Sequence, residues 1–298
     1  MRMEGIALSS PDKELFPQIT KRAVADYYRR VAPQMLPHID GRPLTLKRFP
    51  EGVARAGFFN KRVPRHFPDF VERVILPLRS KAGTIAMAAA DEAADLIYFA
   101  GQNTVEIHMG LAQATRPDCP DQIVLDFDPS DTDFEKVRVA ALGAKAMLEG
   151  LGLPALVKTT GGRGVHVHVP LQPETSFDEV KHWAYRLAQA LNSRLPKITT
   201  LEHRKAKRGE KVFIDYLRND FAQTVIAPYS LRARPEAPVA APITWAELRA
   251  RSLTPGRYRL DNLFRRLAQR EDPWAAAAQL AVSAEQVHRA MASLEGLA

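Results

Sequence analysis

The sequence holds a single cysteine, Cys119, in 298 residues. That excludes a disulfide framework and any zinc site built on cysteines. No stretch approaches the roughly 20 apolar residues of a membrane span. Residues 1–13, MRMEGIALSSPDK, lack the apolar core of a secretory signal. There is no internal repeat, no low-complexity tail and no linker-like stretch. A Lys-x-Asp-Gly motif is also missing, so the chain carries no nucleotidyl-lysine ligase centre of its own. These absences lead us to expect a cytoplasmic protein.

Charge is plentiful but unevenly placed. The formal net charge is +8, which favours a polyanionic partner. Residues 1–80 carry 15 Lys and Arg against 8 Asp and Glu, whereas residues 81–135 carry 2 against 11. Residues 136–298 return to 25 against 15. An acidic block between basic flanks has two readings. Either the stretches pair in the fold, or carboxylates hold metal within a phosphate-gripping surface.

Hydrophobic periodicity gives the elements. Thr20 is placed to cap a helix in which Val24, Tyr27, Tyr28, Val31 and Met35 recur, ending before Pro37. A short strand is expected within 41–50, and a basic, aromatic loop or edge at 57–68. Residues 83–103 suggest a strand and then a helix or strand, and 105–114 alternate as a strand. Helices fit 133–150 and 176–195, the second with Ser176 and Glu179 as a capping box. Residues 155–171 read as strand, glycine turn, strand, and 212–219 as a further strand. Residues 228–242 read as extended and proline-rich. Short helices follow Thr244, with Ser283 and Gln286 capping the last. Strands separated by helices indicate an α/β or α+β fold.

Within this pattern QIVLDFDPSD, residues 122–131, is unusual. Its apolar residues read as a buried strand, yet it carries Asp126 and Asp128. Residues i and i+2 share a strand face, about 7 Å apart along the chain. Their repulsion must be relieved by protonation, by nearby Arg or Lys, or by metal ions. Asp215, in KVFIDYLRN, is an ordinary strand-end acid or a third carboxylate. Three such groups can hold two hard cations, which at about 3.5–4 Å apart clamp the attacking and leaving oxygens of phosphoryl transfer.

TTGGRGVHVHV resembles a phosphate-binding loop without the Walker spacing. Gly161, Gly162 and Gly164 free the backbone, and Arg163 offers a planar fork for phosphate. His166 and His168 share one strand face. A plain hairpin or a His-x-His metal pair remain open there. Arg232 and Arg234, in SLRARP, share a face of an extended segment and either hold phosphates or form a solvated basic strand.

LDFDP, TTGGRGVHVHV and FIDYLRND…YSLRARP, in that order, resemble the archaeo-eukaryotic primase superfamily. More narrowly they resemble the polymerase domain of bacterial DNA ligase D, which serves non-homologous end joining. SSPDKELFP…TKRAVADYYRRVAPQMLPHIDGRPLTLKRFPEG…FFNKRVP extends the resemblance over roughly residues 5–275. It implies a primase-polymerase fold, two β-sheets with flanking helices forming a central catalytic cleft. One domain over 1–298 would comprise a DNA-end part (1–80), a catalytic core (81–240) and a helical part (241–298).

The resemblance also implies roles. Asp126 and Asp128 would bind both catalytic metals, Mn²⁺ or Mg²⁺, and Asp215 the one that activates a primer 3′-hydroxyl. Thr160, Arg163 and His166 would line the nucleotide, His108 its sugar, and Arg232 and Arg234 its phosphates. The family commonly has Ser at Thr160 and Lys near Arg163, so phosphate geometry could differ. Lys13 and Lys21 would bind a DNA 5′-phosphate, and Phe58 and Phe59 would stack on template bases.

The reaction so implied is template-directed addition of NTPs or dNTPs, NTPs preferred, at gapped or 3′-overhanging DNA ends. Ku and ligase or phosphoesterase modules would be partners, in the bacterial nucleoid. Two alternatives stay open: a primase that needs no primer, and a non-catalytic module that binds DNA ends. Intact aspartates argue against the second.

Overall fold

The computed structural model describes residues 1–79 and 82–295. The chain divides into two compact units that share it in alternation. One holds Met1–Pro117, Thr224–Ala241 and Tyr258–Ala268, the other Asp118–Gln223, Pro242–Arg257 and Gln269–Ala298.

The first unit is built on an antiparallel sheet. Its strands lie in the order Thr224–Ile226, Thr104–Gly110, Leu44–Arg48, Thr84–Ala88, Arg73–Pro77, and Phe58–Asn60 also pairs with Leu44–Arg48. The helix Lys21–Ile39 starts as expected, with the Thr20 hydroxyl accepting from Ala23 N at 3.3 Å. It does not stop before Pro37 but runs through both Pro33 and Pro37. Proline in a helix interior costs about 3 kcal/mol. Val24, Tyr28, Val31, Met35 and, past the proline, Ile39 are all fully buried. That burial, at about 1.5–3 kcal/mol per large apolar side chain, outweighs the proline. Tyr28 donates to Val105 O at 2.7 Å and accepts from Leu231 N at 3.2 Å, which ties the helix to the sheet.

The second unit has a sheet in the order Thr199–Thr200, Val212–Asp215, Gln122–Pro129, Val165–Pro170, Leu156–Thr159, Pro242–Ile243. All its pairings are antiparallel except the first. Gln122–Pro129 lies near the centre, and the helices Phe134–Gly150 and Phe177–Arg194 pack on it. Ser176 caps the second helix by accepting from Glu179 N. The Glu179 carboxylate does not close the expected box, because it instead meets Thr175 and, at 3.0 Å, His288. The box at Ser283 and Gln286 does close.

The expected strand over 212–219 is half as long. The Asp215 carboxylate accepts from Leu217 N at 2.9 Å and bends the chain into a 3₁₀ turn, Leu217–Asn219. Asn219 then replaces the missing strand. Its side chain accepts from Val124 N and donates to Val124 O, both at 2.7 Å. The backbone of the aspartate strand is thereby satisfied where its neighbour turns away. Among the described residues no helix is long and apolar enough to cross a membrane.

Candidate active site

The residues singled out above fall into two groups, one in each unit. In the second unit, strand register makes the arrangement. Asp126 pairs with His166 on one neighbouring strand and with Asp215 on the other, and Asp128 lies two residues on. Directly opposed residues of an antiparallel pair share a face. His166, Asp126, Asp215 and Asp128 therefore stand on one side of the sheet. Ile123, Leu125 and Phe127, on the other, are fully buried.

The glycine loop is pinned to this strand. At Gly164 a Cβ would lie 1.9 Å from Phe127 O, so only glycine lets the two backbones approach this closely. Gly161 has φ +63°, a conformation glycine adopts freely. The Thr160 hydroxyl donates to Gly164 O at 3.0 Å and accepts from Gly162 N at 3.1 Å, so it holds the loop closed. Arg163 then reaches Asp128, Nη2 to Oδ1 at 3.4 Å. His166 lies 3.4 Å from Asp126 by Nε2, and its ring is 5.7 Å from that of His168. The buried His168 meets the Gln122 side chain at 2.7 Å and the Trp274 ring edge-on, a structural setting.

Two further arginines answer the aspartates. Arg208, stacked 3.7 Å over the Phe213 ring, reaches Asp128 at 4.0 Å. Arg218 meets Asp215 at 3.1 Å. Burial first, and then Asp126, push the Asp128 carboxyl above the usual range against Arg163, Arg208 and Lys205. Burial likewise raises Asp215, with Arg218 opposing and Asp126 adding to the rise. Among the described residues no group of three or more His, Cys, Asp or Glu is gathered to hold a metal ion. The donor chemistry nonetheless suits a hard divalent cation: three carboxylates on one sheet face, two of them made unusually proton-seeking by burial and mutual repulsion.

In the first unit, the hairpin Glu14–Phe16/Ile19–Thr20 draws Lys13 and Lys21 together, with Lys21 N donating to Lys13 O at 2.8 Å. Lys21 is only 2% exposed, and its ammonium donates to Ser9 O at 2.9 Å. Burial, then Lys13 and Arg48, lower its pKa. No carboxylate partners it among the described residues.

Phe58 and Phe59 are 47% and 57% exposed on one short strand. As consecutive strand residues they face opposite sides. Arg48 lies over Phe58 and Lys47 over Phe59, 5.7 and 5.1 Å from the ring centroids. Phe59 also meets His108 edge-on at 5.3 Å.

Arg232 and Arg234 do not lie on an extended segment as expected. The chain doubles back: Arg232 N donates to Pro238 O, and Ala237 N to Arg234 O. The i, i+2 argument for a shared face therefore fails there. Arg232 instead turns to Glu106, Nε to Oε1 at 3.2 Å. Glu106, Lys47, Arg208 and Arg218 went unmarked in the sequence. Only Glu106 left a signal, sitting two residues before His108 on an alternating strand. The acids of the 81–135 block do pair with both basic flanks, Glu106 with Lys47 and Asp128 with Arg163 and Arg208.

The second unit thus sets a carboxylate row beside a glycine-pinned, cation-bearing loop. The family model for the LigD primase-polymerase domain matches residues 20–274, and the chain belongs to that family. It is 37% identical over 258 residues to the multifunctional non-homologous end joining protein LigD of Mycolicibacterium smegmatis, across 83% of this chain and 33% of that protein. It is 29% identical over 273 residues to the bifunctional non-homologous end joining protein LigD of Bacillus subtilis, across 90% of this chain and 43% of that one. The chain thus spans a third to less than half the length of these curated relatives. Among solved structures, the polymerase domain from Mycobacterium tuberculosis ligase D, in complex with DNA, matches with a TM-score of 0.85 and 33% identity. That match covers 92% of this chain and 98% of the other. The fold class expected from the sequence is borne out.

Proposed function

We propose that the chain is a DNA-directed nucleotidyltransferase that fills gaps at broken DNA ends in non-homologous end joining. Family membership and a neighbour solved with DNA support this reading. The observation that carries it is the row Asp128, Asp126, Asp215 on one sheet face, with the Arg163 loop pinned against it.

The three carboxylates would hold Mn²⁺ or Mg²⁺. Such ions lower the pKa of a 3′-hydroxyl and neutralise charge on the transferring phosphoryl group. The protein's own groups do the rest. Arg163, on a loop that cannot drift from the aspartate strand, positions the nucleotide phosphates as a planar fork. His166 stands beside Asp126 and adds a donor to the same triphosphate. Thr160 keeps the loop in shape. In the other unit, Arg232 and Arg234 bind phosphate, and His108 borders the sugar. Lys21, a buried cation without a carboxylate, suits a terminal 5′-phosphate, assisted by Lys13. Phe58 and Phe59 each offer an exposed face with a cation nearby for stacking on bases, which is sequence-tolerant. NTPs are the preferred substrates, and Ku and ligase or phosphoesterase modules the partners, at the nucleoid in the bacterial cytoplasm.

Primer extension on a gapped duplex with a 5′-phosphate tests the reading. We expect templated addition with Mn²⁺ that Asp128→Ala abolishes. Addition without a primer would point to a primase. End binding with no addition by the wild type would leave a binding module.

A further inference from the structure

The carboxylate row has an aromatic neighbour on its outer side. Phe213 pairs directly with Asp128, as Asp215 pairs with Asp126, so its ring stands on the carboxylate face of the sheet. It is only 5% exposed, beneath Arg208 at 3.7 Å and beside His203, whose ring meets it near-perpendicularly at 5.6 Å. The same His203 ring lies 5.9 Å from that of Tyr216, the residue after Asp215. Tyr216 in turn lies 4.9 Å from Tyr185, on the helix Phe177–Arg194. All of these residues belong to the second unit.

His203 is exposed, and Tyr216 and Tyr185 are half-buried. The cluster borders Asp215: burial raises that carboxyl, and Arg218 and His203 are among the groups that oppose the rise. Exposed Arg204, Lys205 and Lys207 follow His203 along the chain. Rings beside a line of cations are the combination that holds single-stranded nucleic acid, bases on the rings and phosphates on the cations. An exposed ring already held by two others also loses little freedom when a base stacks on it.

Position selects the occupant. The strands run in the order Val212–Asp215, Gln122–Pro129, Val165–Pro170. The aromatic cluster and the Arg163 loop therefore flank the aspartate strand from opposite sides, about 10 Å apart at a strand spacing of about 4.8 Å. In phosphoryl transfer the attacking and leaving oxygens lie roughly in line through phosphorus. With the triphosphate gripped on the Arg163 side, the attacking hydroxyl enters from the Asp215 side.

We infer that His203 and Tyr216 form a stacking surface for the 3′-terminal nucleobase of the strand being extended, and so bring its hydroxyl to Asp215. This rests on the nucleotidyl-transfer reading above and adds to it the seat of the primer end. Stacking uses the π-face that every base has, so the surface accepts ends of any sequence.

The test uses the whole chain and a gapped duplex with a 5′-phosphate, its primer ending either in a normal nucleotide or in an abasic one. With Mn²⁺ and saturating NTP, His203→Ala should raise the KM for the normal primer at least about fivefold, the low end for one base stacked on an aromatic ring. The KM for NTP should stay within twofold of wild type. His203→Tyr, which restores a ring without the imidazole, should recover most of the loss. The abasic primer should cost the wild type a similar factor, and His203→Ala should then add less than twofold, because ring and base are two halves of one contact. Tyr216→Ala should follow the same pattern, and if it does not fold, His203, exposed on its loop, decides alone.

Equal losses on both primers would overturn the inference, since a residue that only shapes its loop weakens both alike. So would a raised KM for NTP with the primer KM unchanged. A wild type that extends both primers equally well would sink the stacking surface alone. A wild type that extends neither would sink the nucleotidyl-transfer reading itself.

Discussion

Gly164→Ala is the sharpest perturbation the site allows. The added methyl would lie 1.9 Å from Phe127 O and 3.0 Å from Phe127 C. An ordinary carbon–oxygen contact is about 3.3 Å or longer, so the loop must retreat by about 1.4 Å. Both neighbours are backbone, so no side chain can swing aside. The retreat strains the bonds that Thr160 N and Oγ1 donate to Gly164 O, at 3.1 and 3.0 Å. It also carries Arg163, 3.4 Å from Asp128, out of ion-pair range. Overpacking of this kind costs about 1–3 kcal/mol. At about 2–4 °C per kcal/mol for a chain of this size, the melting temperature should fall by about 2–12 °C. A displacement of about 1 Å at a positioning group can cost about a hundredfold in rate, so nucleotide addition should drop at least tenfold. Gly150→Ala is the control. It ends the helix Phe134–Gly150 with nothing within 4 Å of the new methyl, and should stabilise by up to about 1 kcal/mol. If Gly164→Ala melts within a degree of wild type and keeps its nucleotide KM, the close-approach argument is wrong.

Three more outcomes follow from the charges. Asp128 and Asp215 have raised pKa values when folded, so their stabilising contribution is complete only below the ordinary carboxylate range and is lost as pH rises through the raised values. Asp128→Asn should therefore raise the melting temperature in EDTA at pH 8, by about 1–3 °C, with the gain vanishing near pH 4 and polymerase activity lost. Glu106 runs the other way. Burial pushes it up, but the His108 bond, Arg232 and Ala233 N–H bring it to about 2. Its contribution, ~3 kcal/mol, is complete above its unfolded pKa and lost as pH falls toward 2. Acid unfolding of Glu106→Gln, compared with wild type, measures that loss as a flatter stability profile below pH 4.5. Lys21→Met should melt higher than wild type, because a cation with a burial-lowered pKa is removed. It should also lose at least tenfold of the preference for 5′-phosphorylated over 5′-hydroxyl gaps, read by competition binding.

Much of this was legible in the sequence because it is local. A run of apolar residues marked the aspartate strand and alternation the histidine strand, and Thr20 and Ser176 announced two helix starts. The aspartate pair raised its own question, since two acids on one strand face need relief. What was not legible is long-range. Pro37 reads as a helix stop until Ile39 is known to be buried. The shortened strand at Asp215 depends on Asn219 finding Val124, some 95 residues away. The 231–239 segment looks extended unless one knows that Arg232 N meets Pro238 O. Glu106 acquires its meaning only when the chain brings Arg232 back to it, 126 positions later.

The alternation of the chain between its two units has a consequence for how such a protein can change. The backbone passes from one unit to the other five times, at residues 117, 223, 241, 257 and 268. Neither unit is a continuous stretch of coding sequence. A single recombination event cannot swap one for a foreign version while keeping the other, because any one crossover point splits at least one unit between two parents. Any single crossover that parts Glu106 from the carboxylate row also parts it from Arg232, so the Glu106 cluster cannot be exchanged whole for a foreign one.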